Sequence, residues 1–263
     1  MLNSCHDHVI EQNWQAYRPA EHRMWRRLAA RQRRLLPGRA WLDFLANLDA
    51  LSILDGGIPH FDRLNEILGK ATGWRIVAVP GALPEAFFLR HLANRRFPVA
   101  RFIRGPEQMD DACEPDVFHG IFGHVPLLMN PLFADYMQAY GEAGMKAPGA
   151  LKHLRRLYRS TVECGLIETD IGLLIYGAGI LCCGGEVEFS LESPSPNRIR
   201  FDLNRVLRTR RHNGDYQASY FVISDFRDLY EPARRGFAPI LRALEGAPDI
   251  ASGALLPQDE LLN

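Results

Sequence analysis

Two histidines near the middle of the chain have the residue type and spacing that metal binding requires. His119 and His124 are five residues apart, inside the largely apolar segment 117–125. On an α-helix their side chains would be about 140° apart, at the two edges of the apolar face. Gly120 and Gly123 fall between them, on the side away from that face. We therefore expect a floor without side chains, over which both imidazoles could bind a small ion.

A metal site of this kind needs a third ligand, and Glu163 is the candidate. It lies in a predicted helix at residues 151–167. Two histidines and one carboxylate are the ligand set of non-haem Fe(II) oxygenases, and hydrolytic zinc enzymes use the same set. Structural interpretations also fit, because Arg159 is placed for an exposed i, i+4 ion pair with Glu163 and the histidines could be hydrogen-bonded at the core margin. The ligand types leave these interpretations open.

Hydrophobic periodicity predicts the elements that position these residues. An amphipathic helix includes Met24, Trp25 and Leu28 and is closed by Pro37 and Gly38. The chain has no repeat and no low-complexity segment, so we predict a single domain over residues 1–263, with a predominantly helical α+β fold and a small sheet. Further helices are predicted at 41–53, 60–68, 84–93 and 151–167, and strands at 74–79, 100–104 and 186–191.

The composition excludes several classes of protein. The 263 residues include 31 Lys and Arg against 31 Asp and Glu, so the basic excess of a nucleic-acid-binding protein is missing. A hydrophobic fraction of 47% is too high for a chain kept disordered by its charge. No segment approaches the roughly 20 apolar residues that span a membrane. The five cysteines are an odd number, which disfavours a disulfide framework. We expect a cytoplasmic protein without nucleic-acid or membrane partners.

Residues 115–119 and 123–128 resemble the iron-binding signature of the aromatic amino acid hydroxylases, most closely the bacterial phenylalanine 4-hydroxylases. The resemblance covers about residues 8–245 and implies the catalytic domain of that family. Because no regulatory domain or tetramerisation helix of the family is recognisable, we expect a monomer. Further matching segments are 36–39, 56–59, 72–75, 91–98, 102–104, 176–180, 193–198 and 220–223.

The resemblance implies that His119, His124 and Glu163 hold a ferrous ion by one face. O2 and a tetrahydropterin would be the cosubstrates, because the pterin supplies two electrons while the iron offers O2 an open position. One oxygen atom would enter an aromatic ring and the other would leave on the pterin. The positions that match the pterin contacts of the family are Gly81, Leu83, Phe88 and Tyr158.

The positions around the aromatic substrate match the family only in part. Arg104 matches the arginine that pairs with the carboxylate of the amino acid, a task that suits its planar guanidinium. Pro115, Gly179 and Glu186 also match positions around the substrate. Five positions depart from the family pattern: Asp111 replaces a tyrosine, Gly120 an acidic residue, Arg159 a tryptophan, Cys164 an aromatic residue and Cys182 a serine.

These departures suggest an altered substrate. Arg159 starts on the same helix face as Glu163, and a buried guanidinium needs an acidic partner, which could be Asp111, Glu163 or the substrate. We therefore predict a monooxygenase whose aromatic substrate bears its own carboxylate, for example an aminobenzoate. The alternative is an ordinary hydroxylase that converts L-phenylalanine to L-tyrosine. A non-catalytic paralogue and a metal-dependent hydrolase fit less well, because all three ligands are present and Gly120 stands where a zinc protease carries glutamate.

Overall fold

Helices dominate the computed structural model, which describes residues 7–109, 114–212 and 216–262. The α-helices are α1 (Pro19–Leu35), α2 (Leu42–Ala50), α3 (Phe61–Ala71), α4 (Glu85–Ala93), α5 (Pro131–Lys146), α6 (Leu151–Tyr158), α7 (Ala178–Cys182), α8 (Gly184–Glu192), α9 (Leu203–Arg208), α10 (Arg227–Arg235) and α11 (Ala238–Ala243). Two segments are π-helical: His119–His124 is the first π segment, and Arg159–Glu163, which continues α6, is the second. Short 3₁₀ turns lie at Trp14–Ala16, Pro106–Gln108, Leu127–Met129 and Pro148–Ala150.

The strands of the described residues form two small sheets. They are β1 (Arg75–Val79), β2 (Arg96–Ala100), β3 (Leu166–Thr169), β4 (Gly172–Ile175), β5 (Asn197–Arg200) and β6 (Ser219–Ile223). β1 pairs in parallel with β2, with Val77 opposite Pro98. The second sheet has the order β4-β3-β6-β5, in which β3 is antiparallel to β4 and parallel to β6, and β5 is parallel to β6.

Helix α1 shows how the sequence pattern builds the core around the histidines. Its buried residues Met24, Trp25 and Leu28 recur at helical spacing. The ring of Trp25 meets that of Phe118 edge-on, with centroids 5.1 Å apart, so α1 covers the segment that carries both histidines. The predicted α+β fold is confirmed, and α1 to α4 confirm four predicted helices with ends shifted by a few residues. No helix in the described ranges has both the length and the apolar character needed to cross a membrane.

Helix α8 occupies a segment where the sequence suggested a strand. Residues 186–191 alternate polar and apolar side chains, which favours a strand. In the structure Glu186, Val187 and Ser190 are buried, at the three-and-four spacing of a helix. Since two of these three buried residues are polar, a pattern based on hydrophobicity could not detect the buried face. The strand prediction at 186–191 is wrong.

The predicted strand at 100–104 is misplaced. β2 ends at Ala100 and contains Pro98, which lacks the N–H that an interior strand donates. Because β2 is an edge of a two-stranded sheet, it can accept this proline. Pro98 therefore made a strand at these residues look unfavourable from the sequence, although β2 does include them.

The predicted helix at 151–167 ends early. The helical segment stops at Glu163, and β3 begins at Leu166. Gly165 permits this sharp change of direction, because a Cβ there would collide with the ring of Tyr176 and with the carbonyl oxygen of Thr161. The missing side chain therefore lets the chain leave the helix directly after the candidate ligand.

The last described residues pack back onto the second sheet and α9. The N–H of Leu262 donates to the carbonyl oxygen of Arg198 at 2.8 Å. Asp259 forms a buried ion pair with Arg205 in α9, with Oδ1 3.0 Å from Nε. Arg205 also donates from Nη2 to the carbonyl oxygen of Ala254 at 2.6 Å. These contacts hold the C-terminal segment, residues 245–262, against the domain.

Candidate metal centre

The first π segment brings the two histidines to the same side of the helix. In a π-helix the backbone bonds join residues i and i+5, so side chains five residues apart are separated by about one turn. The Nε2 atoms of His119 and His124 accordingly lie 3.0 Å from each other. The separation of about 140° expected for an α-helix is wrong here. The local geometry joins two imidazoles that a regular helix would hold apart.

The second π segment places Glu163 at the same point. Its closing hydrogen bond runs from the N–H of Cys164 to the carbonyl oxygen of Arg159 at 3.0 Å, again across five residues. Glu163 Oε2 lies 3.4 Å from His119 Nε2, and Oε1 lies 3.4 Å from His124 Nε2. One ligand atom from each of the three residues lies within 4.8 Å of the others. We call His119, His124 and Glu163 the triad.

The triad is buried, and its charges depend on one another. Burial penalises the carboxylate of Glu163, but the two histidines hold its pKa well below the usual range. Burial also disfavours the imidazolium of His119, yet the Glu163 carboxylate raises the His119 pKa to about 10. The pKa of His124 is lowered, mainly by burial. Glu163 is therefore ionised at neutral pH, as a carboxylate ligand must be.

The donor set of the triad fits a ferrous ion. Two imidazole nitrogens and one carboxylate converge on one point from three directions. This combination binds Fe(II) by one face and leaves coordination positions open on the other. The residues present are thus those that an iron-dependent oxygenase needs.

Three glycines let neighbouring elements close around the triad. A Cβ at Gly120 would lie 2.7 Å from Cγ1 of Val99 in β2, and a Cβ at Gly123 would lie 2.9 Å from the carbonyl oxygen of Ala178 in α7. A Cβ at Gly179 would lie 3.0 Å from a carboxylate oxygen of the triad. The predicted floor of two glycines is only partly present: both glycines pack closely against their neighbours, and of the two only Gly120 lines the cavity beside the triad.

A cavity of about 230 Å³ opens beside the triad. All three ligands line it, so a small molecule in the cavity would reach the metal position directly. Phe88 and Tyr158 form an aromatic corner, with ring centroids 5.6 Å apart and ring planes at 82°. This triad cavity is also lined by the four residues whose pterin contacts were inferred from the resemblance: Gly81, Leu83, Phe88 and Tyr158.

Two substrate candidates lie at or next to the triad cavity. Pro115 lines it, as does Asp116, the partner of Arg104. Arg104 donates from Nε and Nη2 to the two carboxylate oxygens of Asp116, at 3.0 and 2.8 Å. The N–H of His119 donates to the same carboxylate at 2.9 Å. Asp116 therefore ties the buried arginine to the helical turn that carries the histidines.

Asp116 is a site residue that the sequence analysis missed. Its signal was present, because an aspartate that accepts from the N–H three residues later is a typical helix N-cap. Burial alone would raise the pKa of Asp116, but the Arg104 guanidinium lowers it. Burial likewise opposes the charge on Arg104, and Asp116 raises the pKa of that guanidinium. Both groups are charged at neutral pH.

Two further substrate candidates in α7 touch the triad. Gly179 faces the carboxylate of Glu163, and Cys182 lies close enough to His119 to help raise the pKa of that imidazole. Being three residues apart, Gly179 and Cys182 share one face of this short helix. Asp111, another candidate, lies outside the described residues.

Cys164 and Glu186 lie near each other next to the second π segment. Burial raises the pKa of the Cys164 thiol well above its usual value, and the nearby Glu186 carboxylate adds to that shift. Glu186, in α8, accepts a hydrogen bond from the hydroxyl of Tyr220 at 2.9 Å. Burial also raises the pKa of Glu186. No local pattern predicts the contact with Tyr220, because the two residues are 34 positions apart.

Arg159 does not line the triad cavity but a second cavity of about 310 Å³. Within the described part of the chain, the ion pairs of Glu163 are those with the two histidines, so the interpretation in which Arg159 pairs with Glu163 is wrong. The Nε atom of Arg159 is buried and has no hydrogen-bond partner among the described residues. Cys164, Glu163 and Glu186 lie near enough to raise the pKa of the Arg159 guanidinium.

Sequence comparisons agree with this geometry. The profile of the family described as biopterin-dependent aromatic amino acid hydroxylase matches residues 8–245. A phenylalanine-4-hydroxylase of Ralstonia nicotianae is 52% identical over 259 residues, which cover 98% of this chain and 83% of the relative. A phenylalanine-4-hydroxylase of Caulobacter vibrioides is 50% identical over 258 residues, which cover 97% of this chain and 88% of the relative.

Solved structures are similar over nearly the whole chain. The phenylalanine hydroxylase of Chromobacterium violaceum with bound oxidised Fe(III) gives a TM-score of 0.95 at 48% identity, over 99% of this chain and 95% of that one. The iron- and phenylalanine-bound structure of the same enzyme gives a TM-score of 0.93 at 47% identity, over 99% and 96%.

Proposed function

We propose, from the premise that the chain belongs to the biopterin-dependent aromatic amino acid hydroxylases, that its aromatic substrate bears a carboxylate on or next to the ring, as an aminobenzoate does. As a member of this family the chain is an iron- and pterin-dependent aromatic monooxygenase. Family membership replaces the hydrolase interpretation of the ligand set. The choice of arene then depends on the residues around the triad.

The residues of the site divide the work of the reaction. His119, His124 and Glu163 would hold the iron, and the aromatic corner of Phe88 and Tyr158 would hold the pterin ring. When bound, the iron and the tetrahydropterin supply the open positions and the two electrons that O2 needs to deliver one oxygen atom to the ring.

The unsatisfied Nε atom of Arg159 is the observation that carries the proposal. This atom is buried without a hydrogen-bond partner, and no ion pair within 4 Å joins Arg159 to a described residue. The residue as a whole is half-buried, and its buried Nε lacks an acceptor, so this arginine favours a ligand that supplies an acidic group. A planar carboxylate on an arene can accept two parallel hydrogen bonds from a guanidinium.

An ordinary phenylalanine hydroxylase is the second candidate, and Arg104 favours it. Asp116 fixes the guanidinium of Arg104 in place, so that arginine is ready to bind the carboxylate of an amino acid. The curated relatives named above are phenylalanine-4-hydroxylases at 50–52% identity. In this case Arg159 would be a tolerated replacement in the pocket.

The test compares the wild type with Arg159→Trp, both loaded with iron under anaerobic conditions. Each protein receives a synthetic tetrahydropterin in air, together with phenylalanine, tryptophan or one of the aminobenzoates. Mass spectrometry measures products heavier by one oxygen atom, and absorbance measures the pterin oxidised per product. We expect the wild type to hydroxylate an aminobenzoate with tight coupling, and Arg159→Trp to lose roughly tenfold or more in kcat/KM for it.

The matched control is Arg63→Trp, the same substitution at an exposed position of α3. It should leave the substrate preference unchanged. Tightly coupled conversion of phenylalanine to tyrosine by the wild type, as efficient as its activity on any other arene, would overturn the proposed substrate in favour of the second candidate.

The proposal also includes a monomer that works in the cytoplasm. A neutral chain with an uneven number of cysteines supports that compartment, which reduces thiols. Size-exclusion chromatography with light scattering measures the mass in solution, and a dimer would contradict the monomer.

A further inference from the structure

The cavity that Arg159 lines has an unusual concentration of positive charge. It encloses about 310 Å³ and lies where helix α6 and the residues after α9 meet β6 and the C-terminal segment. None of its described lining residues is acidic. We call it the arginine cavity after five of its lining residues: Arg155, Arg156, Arg159, Arg210 and Arg211.

Two of the five arginines are neutralised by carboxylates outside the cavity. Arg155 donates to both carboxylate oxygens of Glu85, at 2.8 and 2.5 Å. Arg156 donates to both carboxylate oxygens of Asp249, at 2.8 Å each. These pairs fix the two side chains in the wall. The remaining positive charge of the lining belongs to Arg159, which is half-buried, and to Arg210 and Arg211, which are exposed.

Arg159, Arg210 and Arg211 carry that charge. None of the three forms an ion pair within 4 Å with a described residue. Arg211 nevertheless lies close enough to Cys164 to influence its thiol, so the charge extends inward from the surface. Three like charges around one cavity repel each other, and a bound anion would relieve that repulsion.

Neutral donors complete the lining and two buried atoms lack partners. Ser219 Oγ and Arg159 Nε are both buried without a hydrogen-bond partner among the described residues, although they belong to different elements, β6 and the second π segment. Buried donors of this kind are rare unless a ligand or water satisfies them. The polar residues Gln217, Ser160 and Ser252 also line the cavity.

We propose that the arginine cavity is a binding site for a phosphate group, either free phosphate or the phosphate of a small monoester. One guanidinium is enough for a planar carboxylate, whereas three guanidinium groups and several hydroxyls arranged around a cavity suit a tetrahedral dianion with more acceptor oxygens. Arg159 is also the residue proposed above to pair with the carboxylate of the arene, so phosphate and such an arene would compete for its guanidinium. Arg210, Arg211 and Ser219 distinguish the phosphate site, because none of them lines the triad cavity. The arginine cavity adds a site to the protein besides the triad cavity, with which it has no lining residue in common.

The test is isothermal titration calorimetry on the full chain in a phosphate-free buffer of low ionic strength. The probes are inorganic phosphate, phenyl phosphate and benzoate. We expect saturable binding of both phosphates, weakened roughly tenfold by Arg211→Gln and measurably by Ser219→Ala, since each variant removes one donor. Neither residue belongs to the triad or lines the triad cavity. Tighter binding of phenyl phosphate would identify a monoester as the ligand, and equal binding would identify free phosphate.

The control is Arg63→Gln, which removes the same charge from an exposed position of α3. It should bind phosphate as the wild type does. Circular dichroism of each variant establishes that it is folded. The proposal is overturned by three results: no saturable binding at millimolar phosphate, equal weakening by Arg63→Gln, or benzoate that binds as tightly as phosphate and is weakened by the same variants.

Discussion

Arg104 and Asp116 form an ion pair that is almost closed to water, with 4% and 0% of their side chains exposed. Each charge therefore depends on the other for its solvation. The N–H of Arg104 also donates to Asp116 Oδ2 at 2.9 Å, so the carboxylate satisfies three donors of Arg104 and one of His119. Loss of either partner would leave an uncompensated charge next to the triad.

We expect Asp116→Asn to lower the free energy of unfolding by about 3–5 kcal/mol at pH 7. The pKa of Asp116 in the folded chain lies below its unfolded value of about 3.9, so the ionised form stabilises the fold at any pH above about 4. That contribution is lost as the pH falls through the folded-state pKa. Urea unfolding at pH 7 and at about pH 3 measures both free energies, and the gap between variant and wild type should shrink at the lower pH.

Asp55→Asn, at an exposed position after α2, is the matched control. It should change the free energy of unfolding by less than about 0.5 kcal/mol. If Asp116→Asn matched this control at pH 7, the buried pair would contribute nothing to stability.

At the scale of residues, the sequence reveals chemistry more readily than partners. The types of His119, His124 and Glu163 suggested a metal, and the resemblance added their common role. Asp116 and Tyr220 were missed, because their importance comes from what they touch after folding. A carboxylate close to an arginine in sequence is common, and only the structure shows that this one is buried and bidentate.

The two π segments are the elements that build the triad, and hydrophobic periodicity did not reveal them. A π turn contains about one residue more than an α turn, and over one or two turns the buried pattern hardly differs. The extra residue nevertheless decides whether side chains five apart share a face. The glycines of the first π segment pack against Val99 and α7, so tertiary contacts support the π geometry.

Gly120→Ala should lower the free energy of unfolding by about 1–3 kcal/mol, because the new methyl group would meet Val99 in β2. Val99→Ala should remove that clash, so the double variant should be more stable than the sum of the single changes predicts. Chemical unfolding of the four proteins measures this coupling. Gly69→Ala in α3 is the control, since a Cβ there would meet nothing within 4 Å. Additive effects would mean that β2 does not limit the volume at Gly120.

The whole molecule is electrically neutral, but its charges are distributed unevenly. The 31 basic and 31 acidic residues cancel, yet the arginine cavity has no acidic lining residue in the described chain. Ser252 of the C-terminal segment forms part of that cavity, and the Arg205–Asp259 pair holds the segment in place. The side chains of this pair are only 3% and 4% exposed, so they stabilise the fold as a buried pair does.

Asp259→Asn should lower the free energy of unfolding by about 3–5 kcal/mol, because it leaves the Arg205 charge buried without its partner. Thermal and urea unfolding measure the loss. Asp225→Asn is the matched control, since the pair of Asp225 with Arg227 is exposed and 3.7 Å long, and its loss should cost less than about 1 kcal/mol. Equal effects of the two substitutions would show that burial of the Arg205 pair is not what matters.

Fold class was predictable at the scale of the molecule, whereas long-range contacts were not. The spacing of apolar residues identified α1 to α4 and a largely helical domain. The pair of Arg205 and Asp259 joins positions 54 residues apart, and no local sequence pattern predicts that these two residues pair. The arginine cavity likewise collects residues from α6, the second π segment, β6 and the C-terminal segment.

The second π segment has one end in each cavity, since Arg159 lines the arginine cavity and Glu163 lines the triad cavity. Residues of one helical turn would therefore take part both in metal binding and in anion binding. Linkage requires that an anion which changes the affinity for metal by some factor has its own affinity changed by the same factor when the metal binds. Titrations in either order must close the same thermodynamic cycle. The size of that factor would measure the coupling free energy that this single turn transmits between the two sites.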